Sequence, residues 1–188
     1  MTEKPIKIVL AGEGGQGVQS VANILTEAAY NRGKQALYIP NFGVEQRGGV
    51  SVAFIQISDD TISSLKFSKA DIVVALSGRA VCRTTQYVDQ NTTYIYDSTI
   101  DAQPEKTEIP KNVMKIYSIP AHEVVQRELT PRVFNVLIMG VVAALTEIVT
   151  LDELKEALIH KLQHKFEKDP SLKEMNLKAL EMGAAFVD

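Results

Sequence analysis

The feature that most constrains this chain is IKIVLAGEGGQGVQSVANIL, Ile6 to Leu25, where an apolar run ends in a turn in which four of six residues are glycine. IKIVLAG (Ile6 to Gly12) is short and almost wholly apolar, as a strand covered on both faces of a parallel sheet must be. From about Val18 to Arg32 the residues Val21, Ile24, Leu25 and Ala28 recur at helical spacing, and Gly33 supplies a stop. QALYI follows as a second strand, closed by Pro40. The chain therefore opens with a strand–helix–strand unit, for which a right-handed crossover is expected.

After the loop NFGVEQRGG (Asn41 to Gly49), VSVAFIQIS alternates, with Val50, Val52, Phe54 and Gln56 opposite Ser51, Ala53, Ile55 and Ile57. Asp59-Asp60 marks a turn. ADIVVAL is a buried strand followed by a helix through Ala80 to Tyr87, and TTYIYD and VMKIYSIP are two further strands. From Ala121 onward the pattern is helical only. TPRVFNVLIMGVVAALTEIV has Pro131 near a helix start. TLDELKEALIHKL opens with Thr150 and Glu153 at capping-box spacing, and Asp169-Pro170 begins a last helix. Strands interleaved with helices, then helices alone, predict one domain over residues 1–188: α/β, doubly wound, with a mostly parallel sheet, helices on both faces and a helical C-terminal end.

The 188 residues suffice for one full core, and 20 basic against 23 acidic residues give no electrostatic reason to bind nucleic acid. VFNVLIMGVVAALTEIV falls short of the roughly 20 residues a membrane span needs. MTEKPIKIVLAG lacks the pattern of a secretory leader. A cytoplasmic protein without membrane contact is expected. The only cysteine, Cys82, cannot build a disulfide framework or ligate an iron–sulfur cluster alone, and is expected to pack inside its helix.

GEGGQG fits G-x-G-x-x-G through Gly12, Gly14 and Gly17. Such a turn admits positive φ and close backbone approach, and the following helix presents free N–H groups to an anion. A short strand-to-helix turn needs glycine for its own geometry as well, and both readings stand. A dinucleotide site further requires an acid about 20 residues on, at the end of the second strand. That place reads LYIPNF, and Glu45 lies beyond it, inside the next loop. There Arg47 stands between Gln46 and Gly48-Gly49, where a guanidinium meets a planar anion with little hindrance.

GEGGQGV, a helix, a short strand and then FGVEQRGG before an alternating strand resemble the gamma subunit, or gamma domain, of the 2-oxoacid:ferredoxin (acceptor) oxidoreductases. That family includes the pyruvate, 2-oxoglutarate, 2-oxoisovalerate and indolepyruvate enzymes. The resemblance continues through ADIVVAL, through NVLIMGVVAAL with Asn135 and Gly140, and through LDELKEAL and NLKALEMGAAF. Glu13, and NFGVEQRGG in place of the frequent YGPEARGG, depart from it and leave the 2-oxoacid open.

The resemblance implies a Rossmann-like domain packed on thiamine-binding subunits. The complex would decarboxylate a 2-oxoacid on thiamine diphosphate and pass electrons through iron–sulfur clusters to ferredoxin. It would release an acyl-CoA. No Gly-Asp-Gly for the thiamine diphosphate magnesium occurs here, so Mg2+, thiamine diphosphate and the clusters are expected on partner subunits, and the chain alone should be inactive. Gly12, Gly14, Gly15, Gln16 and Gly17 would face the shared cleft. Arg47, Gly48 and Gly49 would meet a coenzyme A phosphate or a partner carboxylate. Asn135 would either hydrogen-bond the glycine turn or be satisfied in the core.

No catalytic residue and no metal ligand is assigned. His160 and His164, four apart beside Lys161 and Lys165, read as a solvated face. Asp97 reads as a cap, and Ser77-Gly78 lies at the strand end where such folds bind ligands. A stand-alone dinucleotide-binding dehydrogenase or reductase, and a non-enzymatic interaction module, are the competing readings.

Overall fold

A computed structural model of the chain describes residues 4–42, 49–102 and 108–187. Among them six strands form one sheet: β1 (Ile6–Glu13), β2 (Gln35–Asn41), β3 (Val50–Ser58), β4 (Ile72–Ala75), β5 (Thr93–Asp97) and β6 (Lys115–Ile119). Their order is β2-β3-β1-β4-β5-β6. β1, β4, β5 and β6 pair parallel, with Ile8 beside Ile72, Ile72 beside Thr93 and Thr93 beside Lys115. β3 runs against both neighbours, Glu13 facing Val50 on one side and Gln35 facing Ser58 on the other. β2 thus points the same way as β1, and β3 is the one reversed strand of a mostly parallel sheet.

Two details differ from the sequence reading. The opening strand–helix–strand unit is split, because β3 returns between β1 and β2. β3 can occupy that place because its alternation gives both faces an apolar row. Pro40 does not close β2 but lies within it, opposite Ala53. β2 is an edge strand, where a residue without an N–H is tolerated.

The helices are α1 (Val18–Asn31), α2 (Gly78–Thr84), α3 (Ala121–Glu128), α4 (Phe134–Thr146), α5 (Leu151–Lys168) and α6 (Pro170–Ala184). Their ends follow the punctuation in the sequence. α1 stops where Gly33 takes φ 80°. Ser77 Oγ accepts the Ala80 N–H at 3.2 Å and caps α2. At α5 the Thr150 N–H donates to Glu153 Oε2 at 2.7 Å, and Glu153 N–H returns to Thr150 Oγ1 at 3.3 Å.

The two faces are covered unequally. Ile8, Leu10, Ile55, Val74 and Ile95 pack beneath α1, α3, α4, α5 and α6. On the other face Val9, Ala11, Val73, Tyr94 and Tyr96 meet, among the described residues, one α-helix, α2, through Ala80 and Val81, with Ile100 and Tyr87 from two short 3-10 turns. The long apolar run is α4, buried along most of its length. It crosses α6 backbone to backbone: a Cβ on Gly140 would stand 2.1 Å from Leu180 O, and one on Gly183 1.9 Å from Leu137 O. Among the described residues no helix is long and apolar enough to cross a membrane.

Cys82 is exposed, contrary to expectation. α2 turns Ala80, Val81 and Thr84 inward, which puts Cys82 outside.

Candidate functional site

In an open α/β sheet, neighbouring parallel strands whose following helices go to opposite faces leave a crevice at their carboxyl ends. β1 and β4 are such a pair, since α1 packs on one face and α2 on the other. The glycine turn stands at that crevice, and Gln16 closes it. Its Oε1 accepts the Glu13 N–H at 2.7 Å, and its Nε2 donates to Leu76 O at 2.9 Å, one residue past β4. Both polar atoms of Gln16, a residue of the loop expected to face the shared cleft, thus tie the turn to the segment after β4.

The four glycines have different reasons to be glycine. Gly12 is buried, and a Cβ there would lie 2.7 Å from Gln16 Oε1 and 2.9 Å from Val18 Cγ2. Gly17 takes φ 74°, and its Cβ would lie 2.7 Å from Asn135 Nδ2. Gly15 takes φ 96° in open space. Gly14 has no positive φ and, among the described residues, no atom within 4 Å of a Cβ beyond its chain neighbours, and it is exposed. Packing or a positive φ favours glycine at three of these positions, and nothing among the described residues does so at Gly14.

Asn135 is therefore brought against the turn by packing, with no hydrogen bond to it among the described residues. Gly49 also reaches the turn: it precedes Val50, which pairs with Glu13. The ends of the two glycine-bearing loops are thus neighbours. Arg47 and Gly48 lie outside the described residues.

A residue the sequence reading passed over joins these parts. Gln19, in the first turn of α1, donates through Nε2 to Ser51 Oγ and to Val52 O, the latter at 3.2 Å, and its Oε1 accepts the Tyr38 hydroxyl. Burial pushes the Tyr38 phenol up from its ordinary pKa. Gln19 thus ties α1 to β3 and β2 immediately behind the turn. Its only sequence signal was a polar residue beside the buried Val18.

The same sheet edge carries Asp97, the last residue of β5, with its side chain fully buried. Its Oδ1 accepts the Thr99 N–H at 2.9 Å, and its Oδ2 accepts the His122 N–H at 3.0 Å. Burial alone would raise this carboxyl, but the donors from His122 and Thr99 outweigh it and hold the pKa below the usual value. Asp97 thereby caps α3 from another element, since Pro120 at that helix start offers no side-chain cap. The His122 ring rests 4.1 Å from Phe134, next to Asn135. His160 and His164 are exposed, His160 facing Glu27 at 3.4 Å.

What remains open at the corner is backbone. Gly17 leaves α1 without a side-chain cap, and no acid stands in its first turn. Free N–H groups at such a place attract an anion or another chain's acceptor.

A family model described as pyruvate ferredoxin/flavodoxin oxidoreductase matches residues 7–186. The ketoisovalerate oxidoreductase subunit VorA of Methanothermobacter thermautotrophicus is 30% identical over 95% of this chain, which spans only 36% of that relative's length. The 2-oxoglutarate synthase subunit KorC of Archaeoglobus fulgidus is 32% identical, over 96% of this chain and 87% of its own. The crystal structure of a keto/oxoacid ferredoxin oxidoreductase gamma subunit from Geobacter sulfurreducens superposes with a TM-score of 0.78 at 25% identity, covering 96% of this chain and 97% of that one.

Proposed function

The chain belongs to the pyruvate ferredoxin/flavodoxin oxidoreductase family, and from that premise we propose that it is the gamma part of a 2-oxoacid:ferredoxin oxidoreductase. In this reading the complex oxidatively decarboxylates a 2-oxoacid to an acyl-CoA and delivers the electrons to ferredoxin or a similar acceptor. Relatives are named for ketoisovalerate and for 2-oxoglutarate, and the reading leaves the 2-oxoacid to the partner subunits. Thiamine diphosphate, its Mg2+ and the iron–sulfur clusters belong to those partners. A single, exposed thiol offers no four-thiolate ligand set.

Gly14 is the observation that carries the reading. Nothing among the described residues demands glycine there, and in this reading its missing side chain serves something that approaches the turn. The open backbone of Gly14 and Gly15, backed by the uncapped start of α1, fits the anionic part of coenzyme A or an acceptor group of a partner chain. Coenzyme A, when bound, supplies the thiol that carries the acyl group away. Gln16 and Asn135 act indirectly, holding the turn in shape. Arg47, with Gly48 and Gly49, enters on its sequence alone as a cation for the same anionic group.

Two measurements test this. Tagged chain recovered from its source should bring down subunits carrying thiamine diphosphate and ferredoxin-like cysteine spacing; recovery alone, or with unrelated proteins, contradicts the proposal. In the reconstituted complex Arg47→Ala should lower CoA-dependent turnover or assembly by at least tenfold while the free subunit stays folded. Unchanged assembly and kinetics remove Arg47 from the site.

A further inference from the structure

On the thinly covered face, Ile39 and Pro40 of β2, Phe42 just beyond it, Phe54 of β3, Phe67 and Tyr87 line an open groove of about 450 Å³. Phe54 forms its floor, edge-on to Phe67 at 5.8 Å and to Tyr87 at 5.2 Å between ring centres. Two large apolar side chains stand out at its rim, Phe42 at 68% and Leu65 at 65% exposure. Lys66 and Phe67 also line a second hollow of about 420 Å³. Its other residues include Lys7, Lys69, Thr61, Ser63 and Ser68, and neither Asp nor Glu is among them.

The wall between the two is held from beneath. Gln56, only 2% exposed, donates to Ser64 O at 2.7 Å, and Ser64 Oγ donates to Lys66 O at 2.8 Å. This tie fixes the segment that presents Leu65 and Lys66. Lys69 gives its ammonium to Gln86 O and Val88 O, at 3.0 and 2.9 Å. Neither Lys7 nor Lys66 has an ion-pair partner among the described residues.

Single exposed apolar residues need no explanation. Here they rim an aromatic groove that shares Lys66 and Phe67 with a lysine-lined hollow, in a chain with 23 acidic against 20 basic residues. The lining of the hollow carries Lys7, Lys66 and Lys69 and no acid, with Asp71 outside it accepting the Lys7 N–H at 2.8 Å, so the complement to that lining is acidic. A small anion would satisfy the lysines and leave the aromatic groove uncovered.

We propose that groove and hollow together dock a segment of a partner subunit in which apolar side chains are followed by carboxylates. The apolar part seats on Phe54, Phe67 and Tyr87, and the carboxylates pair with Lys7 and Lys66. This rests on the subunit reading above and adds to it a surface distinct from the glycine corner.

The test is the affinity of the purified chain for the purified partner subunits at several salt concentrations. Phe42→Ser with Leu65→Asp, and Lys7→Glu with Lys66→Glu, should each weaken binding at least tenfold while the thermal midpoint stays at the wild-type value. The lysine pair should also flatten the salt dependence, since exposed charge pairing is screened. Lys66→Gln, which removes charge without reversing it, should lose affinity only at low salt, and Tyr30→Ser on α1 should change nothing. Both double variants binding as wild type overturns the docking surface and leaves the subunit reading intact. Wild-type chain binding no partner overturns both. A self-dimer abolished by the variants, or inorganic phosphate binding abolished by the lysine pair while partner binding persists, assigns the surface to another occupant and overturns the proposal.

Discussion

The two faces of the sheet are built from the same strands by the same alternation, yet they end differently. One is closed by five helices, two of which, α4 and α6, approach so closely that Gly140 and Gly183 touch opposing backbone. The other has α2, a few aromatic side chains and a groove. Interiors packed to crystal-like density respond to one added methyl group, whereas exposed positions tolerate it. The covered face therefore carries the stability of the domain, and under the two proposals above the open face and the glycine corner carry its contacts. Substitutions should separate these two roles.

The largest effect is expected on the covered face. Gly183→Ala must push α4 and α6 apart and should cost roughly 3 kcal/mol or more, lowering the thermal midpoint by about 6–12 °C. A melt within 2 °C of wild type would break the division between the faces.

At the corner, Gly17→Ala forces alanine into a left-handed conformation against Asn135 and should cost about 2 kcal/mol. Asn135→Ala in the same chain should recover part of that loss, a non-additivity that a double-mutant cycle by urea unfolding measures.

Asp97→Asn comes next, at about 1–3 kcal/mol at neutral pH, because buried donors at α3 and Thr99 lose their charged acceptor. The folded carboxyl titrates below its unfolded value, so its contribution is complete above about pH 4 and disappears as pH falls through the lower folded pKa. Unfolding curves at stepped pH should show the wild-type advantage shrinking only on the acid side. An advantage that shrank toward alkaline pH would contradict the assignment. On the open face, Leu65→Asp should move stability by no more than about 0.5 kcal/mol.

The elements themselves were legible because their signals are local: the apolar run before GEGGQG, the alternation of VSVAFIQIS, the Thr150–Glu153 box and Pro170 all stand where the structure uses them. Placement of β3 between β1 and β2 was not legible, since strand order is decided by pairing between segments far apart in the chain. Cys82 was misplaced because its burial was inferred from residue type alone, whereas α2 turns Ala80, Val81 and Thr84 inward and leaves Cys82 outside. At the site, the glycine pattern located the corner but not the division of labour within it. Gln16 reaches across to Leu76, and Gln19 to Ser51 and Tyr38, by contacts that no spacing in the sequence encodes. Arg47 and Gly48 lie outside the described residues, and their part rests on the sequence.

The central claim is that the glycine corner is shaped from inside and used from outside. Gly14→Val in the reconstituted complex tests it most directly, with turnover and thermal unfolding measured on the same preparation. The account predicts an unfolding midpoint equal to wild type and CoA-dependent 2-oxoacid oxidation reduced at least tenfold. Wild-type turnover, with the valine accommodated in both assays, would contradict it.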